Sequence, residues 1–136
     1  MLKKLFAVVL IASLLGCEKK QSVGCGTGAC DLSFAMLGVY FKDKNGNAVT
    51  VQNLSSINQR TKQSVLPASQ QGINQPGYYI ITDDSKRAGF SDDGDEVIVS
   101  ATNSVTGQTK TATFKISGGC NCHINKLSGE QTIVFD

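Results

Sequence analysis

The stretch Glu96–Ile116, EVIVSATNSVTGQTKTATFKI, decides the fold. Apolar residues hold every second position on both sides of the turn-forming segment NSVTGQ, with Val97, Val99 and Ala101 before it and Ala112, Phe114 and Ile116 after it. Successive side chains of a strand point to opposite faces, so a period of two residues gives each segment one apolar face. The pattern predicts two strands, Glu96–Thr102 and Thr109–Ile116, joined by a turn at Asn103–Gln108.

Three segments upstream also have the composition of strands. Ser33–Lys42 (SFAMLGVYFK) is an apolar run too short and too aromatic for a helix, and the turn signal Asp43–Asn47 (DKNGN) ends it. This predicts a buried strand followed by a hairpin, with Ala48–Asn53 (AVTVQN) as the returning strand. Tyr78–Thr82 (YYIIT) predicts a further strand.

The remaining segments are rich in turns. Ser55–Gln75 is polar, with room for one or two short strands, Asp83–Asp95 is a long acidic turn, and Gln131–Phe135 supplies a last edge strand. With no amphipathic helix after residue 17, the sequence predicts an all-β fold, a single antiparallel β-sandwich of about seven strands. The predicted core contains Leu37, Val39, Phe41, Val49, Val51, Tyr79, Ile81, Val97, Val99, Phe114, Ile116 and Val134.

The N-terminus has the layout of an export signal. The basic pair Lys3 and Lys4 precedes Leu5–Leu15, a run without a charge. A helix of that length rises only about 16 Å, roughly half the hydrocarbon thickness of a bilayer, so the run is too short for a permanent span. Residues 1–16 are therefore predicted to be a cleaved signal peptide.

The ending Leu14-Leu15-Gly16-Cys17 resembles the lipobox of bacterial lipoproteins, in which signal peptidase II cleaves before a cysteine that carries diacylglycerol. The resemblance makes Cys17 the lipidated residue, residues 17–30 a lipidated tether with a cysteine cluster, and residues 31–136 the β-sandwich domain. Several acyl chains on one residue, palmitate among them, anchor a protein stably to a membrane. Glu18 is not the aspartate of inner-membrane retention signals, which favours the outer membrane of the cell envelope.

The charge balance of the predicted mature chain argues against nucleic acid as a partner. Loss of Lys3 and Lys4 reduces the Lys and Arg total from 13 to 11, which equals the 11 Asp and Glu residues. A neutral chain without a basic stripe and interleaved aromatic residues lacks the electrostatic footprint of a nucleic-acid-binding protein.

Three segments carry a family resemblance. They are the opening strand Ser33–Lys42 with FKDKNGNAV at residues 41–49, GYYIITDDS at residues 77–85, and VSATNSVTGQTKTATFKISGGCNCHINKLSGEQTIVF at residues 99–135. Together they resemble small bacterial lipoproteins of uncharacterised function with a transthyretin-like or carboxypeptidase-regulatory-like β-sandwich, an Ig-like architecture. The most specific part is the C-x-C-H motif followed by a Leu-Ser-Gly turn, and the chain departs from the family in the Gln-rich residues 59–75. The resemblance implies a fold and no reaction.

Four cysteines besides Cys17 form two clusters, Cys25 with Cys30 and Cys120 with Cys122. An even number of cysteines in an exported protein predicts disulfides. Of the three possible pairings, a bond between Cys120 and Cys122 would close a very small ring, so links between the clusters are favoured. On an extended strand, Cys120 and Cys122 would project to the same side and face the N-terminal segment.

The alternative interpretation is a soft-metal site, since thiolates and one imidazole suit zinc or copper(I). Its ligands would be Cys25, Cys30, Cys120, Cys122 and His123. The spacing matches neither the C-x2-C pairs of zinc sites nor the C-x-x-C-H of haem attachment. His123, the single histidine of the chain, is therefore predicted to be structural, hydrogen-bonded at a strand end, and no cofactor is expected.

Acidic residues crowd the connection Asp83–Glu96, and oxygen-rich loops bind calcium. The string SDDGDE lacks the spacing of an EF-hand, and the DKNGN segment has Ala48 where that motif requires glycine. Both segments are interpreted as turns in which Gly46 and Gly94 adopt positive φ.

These observations favour a non-catalytic binding or assembly module of the bacterial envelope. Its loops or an exposed edge strand would contact a glycan, a peptide or another envelope protein. A metal-handling lipoprotein is the alternative. A small hydrolase has the least support, because the chain has one histidine, no G-x-S-x-G elbow and no carboxylates paired for acid and base work. No catalytic residue is predicted.

Overall fold

Seven strands and one short helix lie in the described part of the chain. The computed structural model describes Cys25, residues 29–70 and residues 75–136, so the predicted signal peptide and Cys17 lie outside the described residues. The elements are β1 (Met36–Asp43), β2 (Val51–Asn58), β3 (Tyr78–Asp83), the 3₁₀ helix η1 (Asp84–Gly89), β4 (Asp95–Asn103), β5 (Thr109–Ser117), β6 (Asn125–Ser128) and β7 (Thr132–Phe135). No helix among these residues has the length and apolar character needed to cross a membrane.

The strands form two sheets that pack as a sandwich, which confirms the predicted fold class. A three-stranded sheet has the order β3-β1-β7, and a four-stranded sheet has the order β2-β4-β5-β6. Neighbouring strands are antiparallel except β1 and β7, which run parallel with Phe41 opposite Ile133. The expectation of a wholly antiparallel sandwich is therefore wrong at β7. The chain reaches β7 from β6 in the other sheet, whereas antiparallel neighbours are the ones that a hairpin can join.

The hairpin predicted after β1 is wrong beyond its turn. The Asp43 N–H donates to the Asn47 carbonyl at 2.9 Å, so DKNGN does reverse the chain. Gly46 and Gly94 adopt the predicted positive φ, 87° and 91°. Only one residue pair forms after the turn before the chain crosses to the other sheet, where β2 pairs with β4.

Strand β2 begins and ends later than the predicted strand Ala48–Asn53. Its register with β4 shifts between Gln52 and Ser55. Asn53, inside this bulge, has a positive φ of 53°. A bulge interrupts the alternation of faces, so the polar run NLSSIN carries no strand signal in the sequence.

One apolar core lies between the sheets. Buried members of the predicted core are Val39, Phe41, Val49, Ile81, Val97, Val99, Phe114 and Ile116. Leu37, Val51 and Tyr79 pack against this core at partial burial. The prediction for Val134 is wrong, because Val134 is 47% exposed while Ile133 and Phe135 are buried. Ile133, Val134 and Phe135 are all apolar, so the composition of β7 does not show which face is buried. The pairing of β7 with β1 decides the buried face.

Candidate functional site

Two disulfides fix the N-terminal segment to the sandwich. Cys25 bonds to Cys120 and Cys30 bonds to Cys122, with Cα–Cα distances of 4.9 and 5.2 Å. The predicted links between the two clusters are confirmed. The bridged residues are 95 and 92 positions apart in the sequence. In the chain-entropy description, the first bridge alone stabilises the fold by about 4.7 kcal/mol, and the second, which closes only a short additional ring, by about 2 kcal/mol.

Residues 120–122, called the cysteine turn below, do not lie on the extended strand that the sequence predicted. They form a turn between β5 and β6. Arg87 of η1 donates to the backbone carbonyls of Asn121 and Cys122, each at 3.0 Å. Asp92 accepts a hydrogen bond from the Cys120 N–H at 2.6 Å. Side chains of the connection between β3 and β4 therefore hold the cysteine turn in place through hydrogen bonds to the backbone of the turn.

His123 lies between two carboxylates immediately after the cysteine turn. Its Nδ1 is 2.6 Å from Asp84 Oδ2, and its Nε2 is 3.0 Å from Asp31 Oδ1. Ser33 Oγ lies 3.1 Å from the same Nε2 and donates to Asp31. The prediction of a histidine hydrogen-bonded at a strand end is confirmed, because Asp84 directly follows β3. Both carboxylate partners belong to segments that are distant in the sequence. We call these four residues the His123 cluster.

Asp84 also holds two backbone segments together. Its carboxylate accepts hydrogen bonds from the Ala35 N–H and the Ile124 N–H, both at 2.8 Å. The first bond fixes the approach to β1, and the second fixes the chain that leaves the cysteine turn. Burial raises the pKa of Asp84, but the hydrogen bonds from Ala35, His123 and Ile124 outweigh burial and hold the pKa below its ordinary value.

The two carboxylates favour the cationic form of His123. The hydrogen bond to Asp84 raises the pKa of His123 above 6.5, against the opposing effect of desolvation, and Asp31 adds to the increase. Hydrogen bonds from Ser33 in turn lower the pKa of Asp31. An imidazolium has a proton on each ring nitrogen, so one ring can donate to both carboxylates.

The chain of contacts from Ser33 through His123 to Asp84 has the connectivity of a Ser-His-Asp triad. Such a triad needs a neutral imidazole that can accept the serine proton. Asp31 opposes that arrangement, because it accepts the hydroxyl hydrogen of Ser33 and stabilises the imidazolium. The geometry therefore favours an ion pair of His123 with Asp31 and Asp84 over an activated Ser33 nucleophile.

The residues of the alternative metal interpretation do meet in space, but their sulfur atoms are bonded to one another. A soft-metal site would need thiolates, so both disulfides would have to be reduced first. Across residue 25, residues 29–70 and residues 75–136, no group of three or more Cys, His, Asp or Glu side chains is arranged to hold a metal ion.

The acidic connection does more than form a turn. Asp83 caps η1 by accepting a hydrogen bond from the Ser85 N–H at 2.9 Å. Asp95 is only 5% exposed and accepts hydrogen bonds from Arg60 at 2.7 Å and Asn58 at 2.8 Å. The Arg60 guanidinium keeps the pKa of Asp95 well below its usual range. These carboxylates accept hydrogen bonds from other groups of the protein. The interpretation of Asp83–Glu96 as a turn alone is therefore incomplete.

Sequence reasoning did not single out Asp31, Ser33 or Arg87. Asp31 and Ser33 meet His123 across 92 and 90 positions, and Arg87 meets Asn121 across 34. The pairing of the two cysteine clusters is the sequence signal that brings Asp31 and Ser33 to His123, and no comparable signal brings Arg87 to Asn121.

A second candidate site lies at the opposite end of β1, which spans eight residues, or about 26 Å of strand. It is a groove of about 570 Å³ formed by the turns after β1 and β4 and by Asp136, which follows β7. Its lining residues are Asp43, Lys44, Asn45, Ala48, Val49, Thr50, Asn103, Ser104, Val105, Thr106 and Asp136.

Amide and hydroxyl side chains outnumber charged side chains in the lining of the groove. The Asp43 carboxylate is occupied by the Asn45 and Asn47 N–H groups at 2.9 and 2.8 Å. Asp136 pairs with Lys110 at 2.5 Å. Val105, at the tip of the turn after β4, is 90% exposed. An uncharged polar ligand with a small apolar group suits this surface.

No family model, curated protein or solved structure matches this chain. The resemblance to small transthyretin-like lipoproteins therefore stays a prediction, and the functional argument rests on the site itself.

The charged state of His123 gives a pH-dependent prediction. A folded-state pKa raised above 6.5 means that the stabilisation is complete below that value and declines as the pH rises through the folded pKa. His123→Asn should therefore lower the urea midpoint most below pH 6.5, and the deficit relative to wild type should shrink as the pH rises through the folded pKa. Lys126→Gln, an exposed change on β6, is the control. A deficit in the urea midpoint that stays constant or grows with pH would contradict a stabilising ion pair at His123.

Proposed function

We propose that this protein is a lipoprotein of the bacterial cell envelope, anchored through acyl chains on Cys17, and that its sandwich is a non-catalytic binding or assembly module. The same proposal includes membership of the transthyretin-like lipoproteins that the chain resembles, a location at the outer membrane and the absence of a catalytic role.

The observation that carries the proposal is the pair of disulfides. Such bonds persist in exported proteins and are rare in the reducing cytosol. They join the segment that follows the predicted lipidation site to residues near the C-terminus, at Cys120 and Cys122. This arrangement supports export, and the N-terminal sequence pattern supports lipidation.

The cross-links also suit an anchored protein mechanically. Between Cys17 and Cys25 only eight peptide units separate the proposed anchor from the first covalent attachment to the sandwich. A force on the anchor would reach the body of the domain through the bridges, so strand β1 would not have to bear it alone.

The groove at the far end of β1 supports the binding role. Its position leaves it turned away from the bridged end, where the anchor attaches, and loops on a rigid sandwich are common binding elements. The carboxylates of Asp43 and Asp136 already have partners, which together with the exposed Val105 favours a glycan or a peptide over a strongly charged partner. The His123 cluster, by contrast, is used in holding the N-terminal segment.

The metal-handling alternative has less support than the binding role. Every sulfur that it needs is part of a disulfide. It becomes the better account only if protein from the envelope is found with free thiols and bound zinc or copper.

The anchor is tested by Cys17→Ala. Wild-type protein should have acyl mass on Cys17 as its N-terminal residue, whereas the variant should keep residues 1–16 and lack that mass, because lipidation precedes cleavage in the proposed maturation. Mass spectrometry of membrane fractions measures both. Cys25→Ala is the matched control, since it removes a nearby cysteine and should leave acylation intact. A mature, soluble wild-type protein without acyl mass would contradict the anchor.

The binding role is tested by cross-linking in cells. The photo-reactive amino acid p-benzoylphenylalanine replaces Val105 in the groove or, as a control, Thr113, which is exposed on β5. Illumination should give a discrete adduct from position 105 and none from position 113. Identical adducts from both positions, or none from position 105, would contradict a partner at the groove.

A further inference from the structure

Three large apolar side chains are exposed directly after the second disulfide. Leu32, Phe34 and Met36 are 103%, 58% and 52% exposed. The other large apolar side chains exposed in the described part of the chain are Val105 in the turn after β4, Leu127 on β6 and Val134 on β7. We call Leu32, Phe34 and Met36 the apolar stripe. A concentration of exposed apolar surface in five consecutive residues marks an interaction site more often than scattered single residues do.

The residues between the members of the stripe make the contacts with the protein. Ser33 contacts His123, and the Ala35 N–H donates to Asp84. Leu37 packs against the core. In an extended segment alternate side chains point to opposite sides, so these contacts turn Phe34 and Met36 away from the body of the domain. Leu32 lies at a bend just before them and is fully exposed. The intramolecular contacts alone therefore do not explain why its three positions are apolar.

The length of chain between the proposed anchor and the bridges identifies what the stripe faces. Cys17 and Cys25 are eight residues apart, so their Cα atoms are separated by at most about 28 Å, and by about 16 Å on average for a flexible chain. A domain of this size has a radius of gyration of about 13 Å and a larger diameter than that tether length. The end of the domain that bears the bridges must therefore lie next to the membrane.

The stripe lies at this same end. Leu32 follows Cys30 by two residues, within about 7 Å along the chain. Cys30 is in turn bridged to the cysteine turn that also holds Cys25. The nearest acidic group, Asp31, is paired with His123, which reduces its repulsion from anionic headgroups. Lys19 and Lys20 follow the proposed lipidated residue and suit such headgroups.

We propose that the apolar stripe inserts into the interfacial region of the bilayer that carries the acyl chains of Cys17. This second, non-covalent contact rests on the proposed lipid anchor. It would fix the orientation of the sandwich, with β1 directed away from the membrane and the groove held at its far end. Apolar side chains at the boundary between headgroups and acyl chains are how monotopic proteins lie on a membrane.

The test uses a tryptophan placed in the acylated full-length mature protein. The chain contains no tryptophan, so Phe34→Trp introduces a single emitter. Val105→Trp at the opposite end is the matched control. Each protein is reconstituted in vesicles of neutral and anionic lipids, with and without bromine on the acyl chains. Brominated lipid should reduce the emission of Phe34→Trp at least roughly twofold, since the side chain reaches the acyl boundary, and should leave Val105→Trp unchanged.

Two further measurements, co-flotation of the protein with vesicles and its acyl mass, distinguish an error in the proposed membrane contact of the stripe from an error in the proposed anchor. An acylated protein that floats but shows no quenching at position 34, or equal quenching at both positions, would overturn the membrane contact and leave the anchor intact. If the protein has no acyl mass, the anchor is wrong, and the unacylated variants are mixed with the same vesicles. Quenching confined to position 34 would then still support the stripe, and its absence would overturn the stripe as well.

Discussion

The pair of disulfides between the N-terminal segment and the cysteine turn is the constraint on which the rest of the structure depends. Without Cys25–Cys120 and Cys30–Cys122, the described residues 29–35 would be held to the sandwich by the hydrogen bonds of Asp84 and His123 and by the packing of Ala35 against the core. With the bridges in place, the segment is held at two points that lie two residues apart on the turn. The His123 cluster then adds a charged contact to an arrangement that is already covalent, so its contribution depends on pH while the connection itself does not.

This constraint gives the molecule two distinct ends. The bridges, the His123 cluster and the apolar stripe occupy the end where β1 begins, and the polar groove occupies the end where β1 finishes. An anchor at one end and loops at the other is a suitable arrangement for a module that presents a binding surface away from a membrane. The acidic connection between β3 and β4 serves the first end, because Asp84, Arg87 and Asp92 all bind residues 120–124.

The sequence predicted the parts of this structure that depend on local pattern. Strict alternation located β4 and β5 and the faces they bury. The even number of exported cysteines predicted disulfides, and the small ring that a Cys120–Cys122 bond would close favoured links between the clusters. The parts that failed depend on pairing with distant residues. The four residues of β6 are all exposed and have no apolar period, and the buried face of β7 follows from its parallel pairing with β1. The donors that occupy Asp84 and Asp92 lie 28 to 49 positions away, so the acidic segment resembles a simple turn when it is considered alone.

Peptide mapping of protein isolated from the envelope without reduction tests the central claim most directly. After alkylation of free thiols and proteolysis, fragment spectra should show one cross-linked species that joins the N-terminal and C-terminal cysteine peptides. Partial reduction should resolve it into the pairs Cys25–Cys120 and Cys30–Cys122. Four alkylated cysteines, or bonds within either cluster, would contradict the account of how the N-terminal segment is held.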